Sequence, residues 1–188
     1  MKYIRQSFII LMVFTIICGI IYPLAIYGIG QLFFANQANG SLIEENGQFV
    51  GSKLIGQQFT QDKYFWSRPS ATTNYPYNAL ASGGSNLGPL NPVLLDQINE
   101  RATKLRKSNN SNTAIPVDLV TASGSGLDPD ISLAAANYQV ERIAKARNLT
   151  IQQVQDLINQ YAQHKLFGFL GEASVNVLEL NLALDKGI

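Results

Sequence analysis

Gly83, Gly84 and Ser85 sit in the densest turn chemistry of the chain, the stretch Asn74 to Pro92 (NYPYNALASGGSNLGPLNP). Consecutive small residues can aim backbone N–H groups at an anion or a phosphate. No lysine stands at phosphate-loop spacing and no G-x-x-x-x-G-K-[ST] is intact, so the signal is short of a phosphate loop. A second glycine-rich run, Thr121 to Asp130 (TASGSGLDPD), leads into a helical pattern. A glycine loop opening a helix is a place for an anion. Asp128 and Asp130 at its mouth oppose one, and favour a helix cap or a cation. Ahead of both loops stands Tyr64 to Ser70 (YFWSRPS), which holds the only tryptophan, Trp66, beside Arg68 and Pro69. Phe65 and Trp66 suit an aromatic core plug with Arg68 on its rim. The same residues suit a contact site, because Trp and Arg are favoured interface anchors.

Hydrolytic chemistry has little to work with. A Ser-His-Asp triad would have to use His164, the only histidine, and no G-x-S-x-G elbow exists. No carboxylate pair stands out for glycoside chemistry. One histidine and one cysteine do not make a zinc site, and a single cysteine excludes an internal disulfide framework. The formal net charge of +1 argues against nucleic acid as a partner. No catalytic residue, metal ligand or tightly bound cofactor is assigned.

What holds these residues in place begins with an apolar stretch. From Gln6 to Ile43, about 38 residues, there is no Asp, Glu, Lys or Arg. Its apolar part, Phe8 to Phe34, is long enough for a helix of ~40 Å, against a hydrocarbon core of ~30 Å. A cleaved signal peptide has an apolar region of only ~7 to 15 residues, so an uncleaved anchor is expected. Lys2 and Arg5 precede it, and Glu44 and Glu45 follow. The positive flank stays in the cytoplasm, which places the rest of the chain outside. Pro23 should kink the helix. Thr15, Gly19, Ala25, Gly28 and Gly30 offer small residues on which another helix can pack. Cys18 lies inside the anchor.

The expected organisation is a cytoplasmic tail over residues 1–6, a transmembrane helix over 7–34, a polar neck over 35–48 and one mixed α/β extracytoplasmic domain over 49–188. Phe49 to Phe59 reads as one or two short strands. Asn91 and Pro92 start a helix carrying Leu94, Leu95, Ile98, Ala102 and Leu105 at helical spacing. Ile115 to Val120 reads as a short strand, and Ile131 to Arg147 as one helix. Thr150 and Gln153 make a capping box for another helix. Phe167 to Glu172 reads as a turn with aromatic contacts. Leu178, Leu180, Leu182 and Leu184 alternate with polar or small residues and read as a closing strand.

Several stretches together carry a resemblance. They are Tyr22-Pro23, Phe65 to Ala71 (FWSRPSA), Ala81 to Pro89 (ASGGSNLGP) and Val120 to Ser132 (VTASGSGLDPDIS). Ala135 to Arg147, with Gln139 and Arg142, and Gly171 to Asn181 continue the series in order. The chain resembles the C subunit of the Kdp-type potassium-transporting ATPase, the KdpC family, over essentially its whole length. The resemblance implies a non-catalytic subunit of a high-affinity potassium uptake complex in the cell membrane. Its implied partners are a P-type ATPase subunit, a channel-like potassium-binding subunit and a small membrane peptide. It implies a catalytic chaperone that raises the ATP affinity of the ATPase subunit. By the same resemblance Ser82, Gly83, Gly84, Ser85 and Asn86 are candidate nucleotide or partner contacts. Gln139 stands for a glutamine proposed to touch nucleotide, with Arg142 beside it. The charge argument places these loops opposite to cytoplasmic ATP, so an indirect effect is expected. The alternative is a membrane-anchored extracytoplasmic binding or sensor module.

Overall fold

The computed structural model describes residues 2–187, and the chain forms two compact units, Met1–Leu42 and Ile43–Ile188. In the first unit α1 (Lys2–Ile16) and α2 (Tyr22–Phe33) are joined through a π-helical turn, Ile17–Ile21. Together they give one apolar helix, Tyr3–Phe33, 31 residues long, whose most apolar stretch reaches a mean hydropathy of 2.7. That is long and apolar enough to cross a membrane. The disturbance expected at Pro23 takes the form of the π-turn. A proline ring clashes with the carbonyl four residues back and donates no hydrogen bond. Widening the preceding turn relieves both, and the Tyr22 N–H reaches the Ile17 carbonyl five residues back. A four-residue helix α3 (Ala35–Ala38) follows.

A hairpin follows, β1 (Leu42–Glu45) and β2 (Gln48–Ser52). Asn46 and Gly47, with φ of 51° and 77°, form its two-residue turn. Positive φ at both positions is what a tight hairpin turn requires. The stretch read as a neck therefore contains a helical turn and most of a hairpin.

After a long irregular run comes α4 (Pro92–Asn109), whose N-cap Asn91 accepts from the Val93 N–H at 2.9 Å. The strand expected over Ile115 to Val120 is instead a 3-10 turn, Val117–Leu119. Its Asp118 accepts from the Ser132 N–H at 2.8 Å, a side-chain tie in place of ladder pairing. Then follow β3 (Asp130–Ser132), α5 (Leu133–Tyr138), α6 (Val140–Arg147), α7 (Ile151–Tyr161), β4 (Ala162–Gln163), β5 (Ser174–Asn176) and α8 (Val177–Lys186). The single helix expected over Ile131 to Arg147 starts later and breaks at Gln139, whose N–H turns back to the Ala136 carbonyl at 3.0 Å. The capping box of Thr150 and Gln153 is present.

β5 is the centre of a three-stranded antiparallel sheet, with Val175 opposite Ile131 of β3 and Ala162 of β4. The closing strand expected from the alternating leucines is α8. Val177, Leu180, Asn181 and Leu184 are all buried, a spacing of three and four residues that only a helix puts on one face. Asn176 caps it, accepting from the Glu179 N–H at 3.1 Å. Leu and Ala favour a helix, and no β-branched residue follows Val177 before the helix ends. The core gathers Ile131, Ile143, Val154, Ile158, Val175 and Leu180 around Phe65, which is fully buried. The Phe167 turn is closed by a bridge between Leu166 and Leu170, but Phe167 and Phe169 are 80% and 73% exposed rather than packed.

Candidate functional site

The aromatic segment carries no regular secondary structure, yet Phe65 and Trp66 are buried. Buried backbone polar groups need partners, and here two side-chain amides supply them. Asn181 of α8 accepts from the Phe65 N–H at 2.8 Å and donates to its carbonyl at 3.0 Å. Gln139, at the break between α5 and α6, accepts from the Trp66 N–H at 2.8 Å and donates to its carbonyl at 3.2 Å. Each amide thus stands in for a neighbouring strand. The break in the helix is where Gln139 makes this contact.

Gln139 is fully buried. Its Nε2 also donates to the Ala135 carbonyl at 3.2 Å, and its Oε1 also accepts from Arg142 Nη2 at 2.6 Å. Two donors and two acceptor sites are all that a side-chain amide offers, so its hydrogen-bonding capacity is complete within the chain. Arg142 is 5% exposed. It donates to Asn109 Oδ1 at 3.1 Å and to the carbonyls of Asp62 and Tyr64, the latter at 2.9 Å. Its guanidinium lies 4.6 Å from the centre of the Trp66 ring. Burial pulls its pKa down to about 10, with the Asp62 charge acting the other way. Arg147, five residues on, repeats the pattern. It donates to the Lys63 carbonyl at 2.7 Å, pairs with Asp185 at 2.7 Å and covers the Tyr64 ring at 5.0 Å.

The two glycine-rich loops, far apart in sequence, lie against each other. The Gly83 N–H donates to the Ser125 carbonyl at 2.8 Å, and Ser82 Oγ reaches the same carbonyl at 3.0 Å. Ser70 Oγ donates to the Gly126 carbonyl at 2.7 Å. Gly126 has φ +68°, and a Cβ there would stand 2.6 Å from Thr72 Cγ2 and 2.7 Å from the Gly83 carbonyl oxygen. Only glycine fits at such an approach. Gly83 faces open space, with nothing within 4 Å of a Cβ. Ser82 and Asn86 are exposed, Gly84 and Ser85 half-buried. Arg68 ties the second loop to the aromatic segment through Asp128 at 2.9 Å. Pro69 accepts from the Ser123 N–H at 3.4 Å. Of the residues singled out in the sequence, Phe65, Trp66, Gln139 and Arg142 thus form one buried network. Arg68 and Pro69 join that segment to the glycine loops.

In the first unit Thr15, Gly19, Pro23 and Ala25 are exposed, and Gly28 is partly so. Thr15 Oγ1 donates to the Leu11 carbonyl at 2.8 Å, and nothing lies within 4 Å of a Cβ at Gly19 or Gly28. Among the described residues no group of His, Cys, Asp and Glu is placed to hold a metal ion.

Sequence reasoning missed Asn181, Asn109 and Arg147. Asn181 had a signal, a polar residue at a position of α8 flanked on its face by the apolar Val177, Leu178 and Leu184. The strand reading turned it outward and hid it.

Among the described residues the architecture is one helix long and apolar enough to cross a membrane and one mixed helix-and-sheet domain. The domain's central aromatic segment is held by polar side chains. The chain belongs to the KdpC family: the family model described as K+-transporting ATPase, c chain, matches residues 4–186. Similar curated proteins carry the name potassium-transporting ATPase KdpC subunit. That of Janthinobacterium sp. (strain Marseille) is 56% identical over 183 residues, 97% of each chain. That of Methylococcus capsulatus is 55% identical over 185 residues, 98% of this chain and 97% of its own. That of Mycobacterium tuberculosis is 57% identical over 178 residues, 94% of each.

Proposed function

We propose that the chain is the accessory, non-catalytic subunit of an ATP-driven potassium uptake complex in the cell membrane. The observation that carries this reading is the family match over residues 4–186, which takes in both the apolar helix and the domain. In this reading the helix crosses the membrane once with its N-terminus in the cytoplasm. The domain stands outside, and the partners are a channel-like potassium-binding subunit, a P-type ATPase subunit and a small membrane peptide.

The effect on the ATPase is indirect. Gln139 has no hydrogen-bonding capacity left for a nucleotide, Arg142 is enclosed, and the Gly83 N–H is held by Ser125. These residues support a rigid scaffold better than a nucleotide seat, and no tightly bound cofactor is called for. The domain packs on the channel-like subunit near the potassium entrance. It shifts the populations of the pump's conformations by contacting one more strongly than the other. Raised ATP affinity of the ATPase subunit is the distant consequence.

The test is the ATP dependence of potassium-stimulated hydrolysis in complexes assembled with the full chain or with one stopped after Gln48. Co-purification of the shortened chain confirms that assembly persists. The reading expects a higher KM for ATP without the domain. An unchanged KM in an assembled complex would defeat it.

A further inference from the structure

A cavity of about 260 Å³ opens between α4 and the aromatic segment. Arg68, Arg101 and Lys104 line it, and no carboxylate does. Arg101 and Lys104 are three residues apart on α4 and so share a face. Arg101 is held only by neutral partners, the Val120 carbonyl at 2.8 Å and Gln97 Oε1 at 3.3 Å. Lys104 rests 5.0 Å above the Trp66 ring. Neither takes part in the salt bridges among the described residues. Arg68 does pair with Asp128, but its Nε is shielded from solvent and has no hydrogen-bond partner among the described residues. Burial pulls the Arg101 pKa below its ordinary value, and the Glu100 charge acts against it. A half-buried guanidinium with no carboxylate paired to it is what a bound anion would relieve.

The rest of the lining is of another kind. Phe59, Trp66 and Tyr77 give the cavity an aromatic wall. Tyr77 is fixed there by donating its hydroxyl to the Arg68 carbonyl. Polar and cationic groups converging beside an aromatic wall suit a small molecule with a polar head and an apolar body. Ser82 to Asn86 and Gln139 are absent from this lining, so the cavity is separate from the loops discussed above.

We propose that this cavity binds a small organic anion, with a carboxylate or phosphomonoester head between Arg101 and Lys104 and an apolar body against Phe59, Trp66 and Tyr77. The site adds to the accessory-subunit reading and does not depend on it. Trp66 is the chain's only tryptophan, so its emission reports on the cavity without a label.

The experiment titrates the full chain, in a neutral detergent, with phenylphosphate, phenylacetate and inorganic phosphate. Sodium chloride is added to keep ionic strength constant. Emission from Trp66 and the ligand-dependent rise in melting temperature are read together. Lys104→Met is the test variant, because the Lys104 side chain is exposed and takes no part in the salt bridges among the described residues, so the fold is expected to persist. A saturable response to phenylphosphate or phenylacetate, weakened roughly tenfold or more by Lys104→Met, supports the site. The tighter of the two names the head group. Saturation by inorganic phosphate alone would overturn the organic-anion assignment. So would no saturable response to any probe, or one that Lys104→Met leaves unchanged.

Discussion

The side-chain amide of Gln139 pairs with both backbone groups of Trp66, at 2.8 Å and 3.2 Å, from 73 residues away in sequence. This pairs the buried backbone of a residue outside any strand with a side chain. Gln139→Leu leaves the Trp66 N–H and carbonyl unpaired and removes an acceptor from Arg142. The expected loss of stability is about 2–4 kcal/mol, measured by chemical denaturation of the purified chain without any nucleotide. A residue that served only to contact a ligand would leave that stability unchanged.

Asn181 does for Phe65 what Gln139 does for Trp66. Asn181→Leu keeps the branched shape, is slightly larger and drops both hydrogen bonds, so a loss of about 1–3 kcal/mol is expected. The two amides hold adjacent residues. The double variant should therefore lose less than the sum of the single losses, and strict additivity in the same denaturation assay would speak against a shared role.

The glycine loops separate packing from contact. Gly126→Ala meets Thr72 and the Gly83 carbonyl and must hold a positive φ, so a loss of about 1–3 kcal/mol is expected. Gly83→Ala points into open space and should stay within about 0.5 kcal/mol of the parent. Any fall in pump assembly or activity caused by Gly83→Ala then reports a partner contact.

Acid stability carries the mark of Asp185. Burial raises its pKa, but hydrogen bonds from Arg147 and Tyr64 outweigh that and hold it below the usual carboxylate range. As pH falls the unfolded chain takes up this proton first. The contribution is therefore complete above the ordinary carboxylate value and is lost as pH drops through the folded one. Asp185→Asn should melt lower near pH ~7 and show a shallower decline as pH falls below the ordinary carboxylate value of ~4. Because the carboxylate is 44% exposed, the effect is small.

The apolar helix offers a different test. Gly19 and Gly28 meet nothing within 4 Å in the single chain, so Gly19→Leu and Gly28→Leu should leave the domain's melting unchanged. If that face packs on other helices, the added bulk blocks close approach. Co-purification with the other subunits should then fall. Undiminished co-purification would remove the face from the interface.

What could be read in the sequence follows from what each signal depends on. The apolar helix, the Asn91 cap and the Thr150 capping box are local signals of composition or spacing, and they stand in the structure. The α8 helix was hidden because leucines at every second position mimic a strand, while the deciding evidence, Asn181 facing Phe65, is a contact across 116 residues. The break at Gln139 has the same cause. Residues of the site were nameable one by one, but not their joint burial. Nothing local says that Arg142 and Gln139 turn inward, or that Gly83 and Gly126 lie together.

The central claim is that the domain stands outside the cytoplasm and acts on ATP hydrolysis at a distance. The direct measurement is sidedness. Cys18→Ala removes the only cysteine, and Asn112→Cys puts one in the exposed stretch after α4. Intact cells are then treated with a membrane-impermeant thiol reagent. The account predicts labelling without permeabilisation. Labelling that appears only after the membrane is opened would contradict it, and would put the Ser82 to Asn86 loop on the same side as ATP.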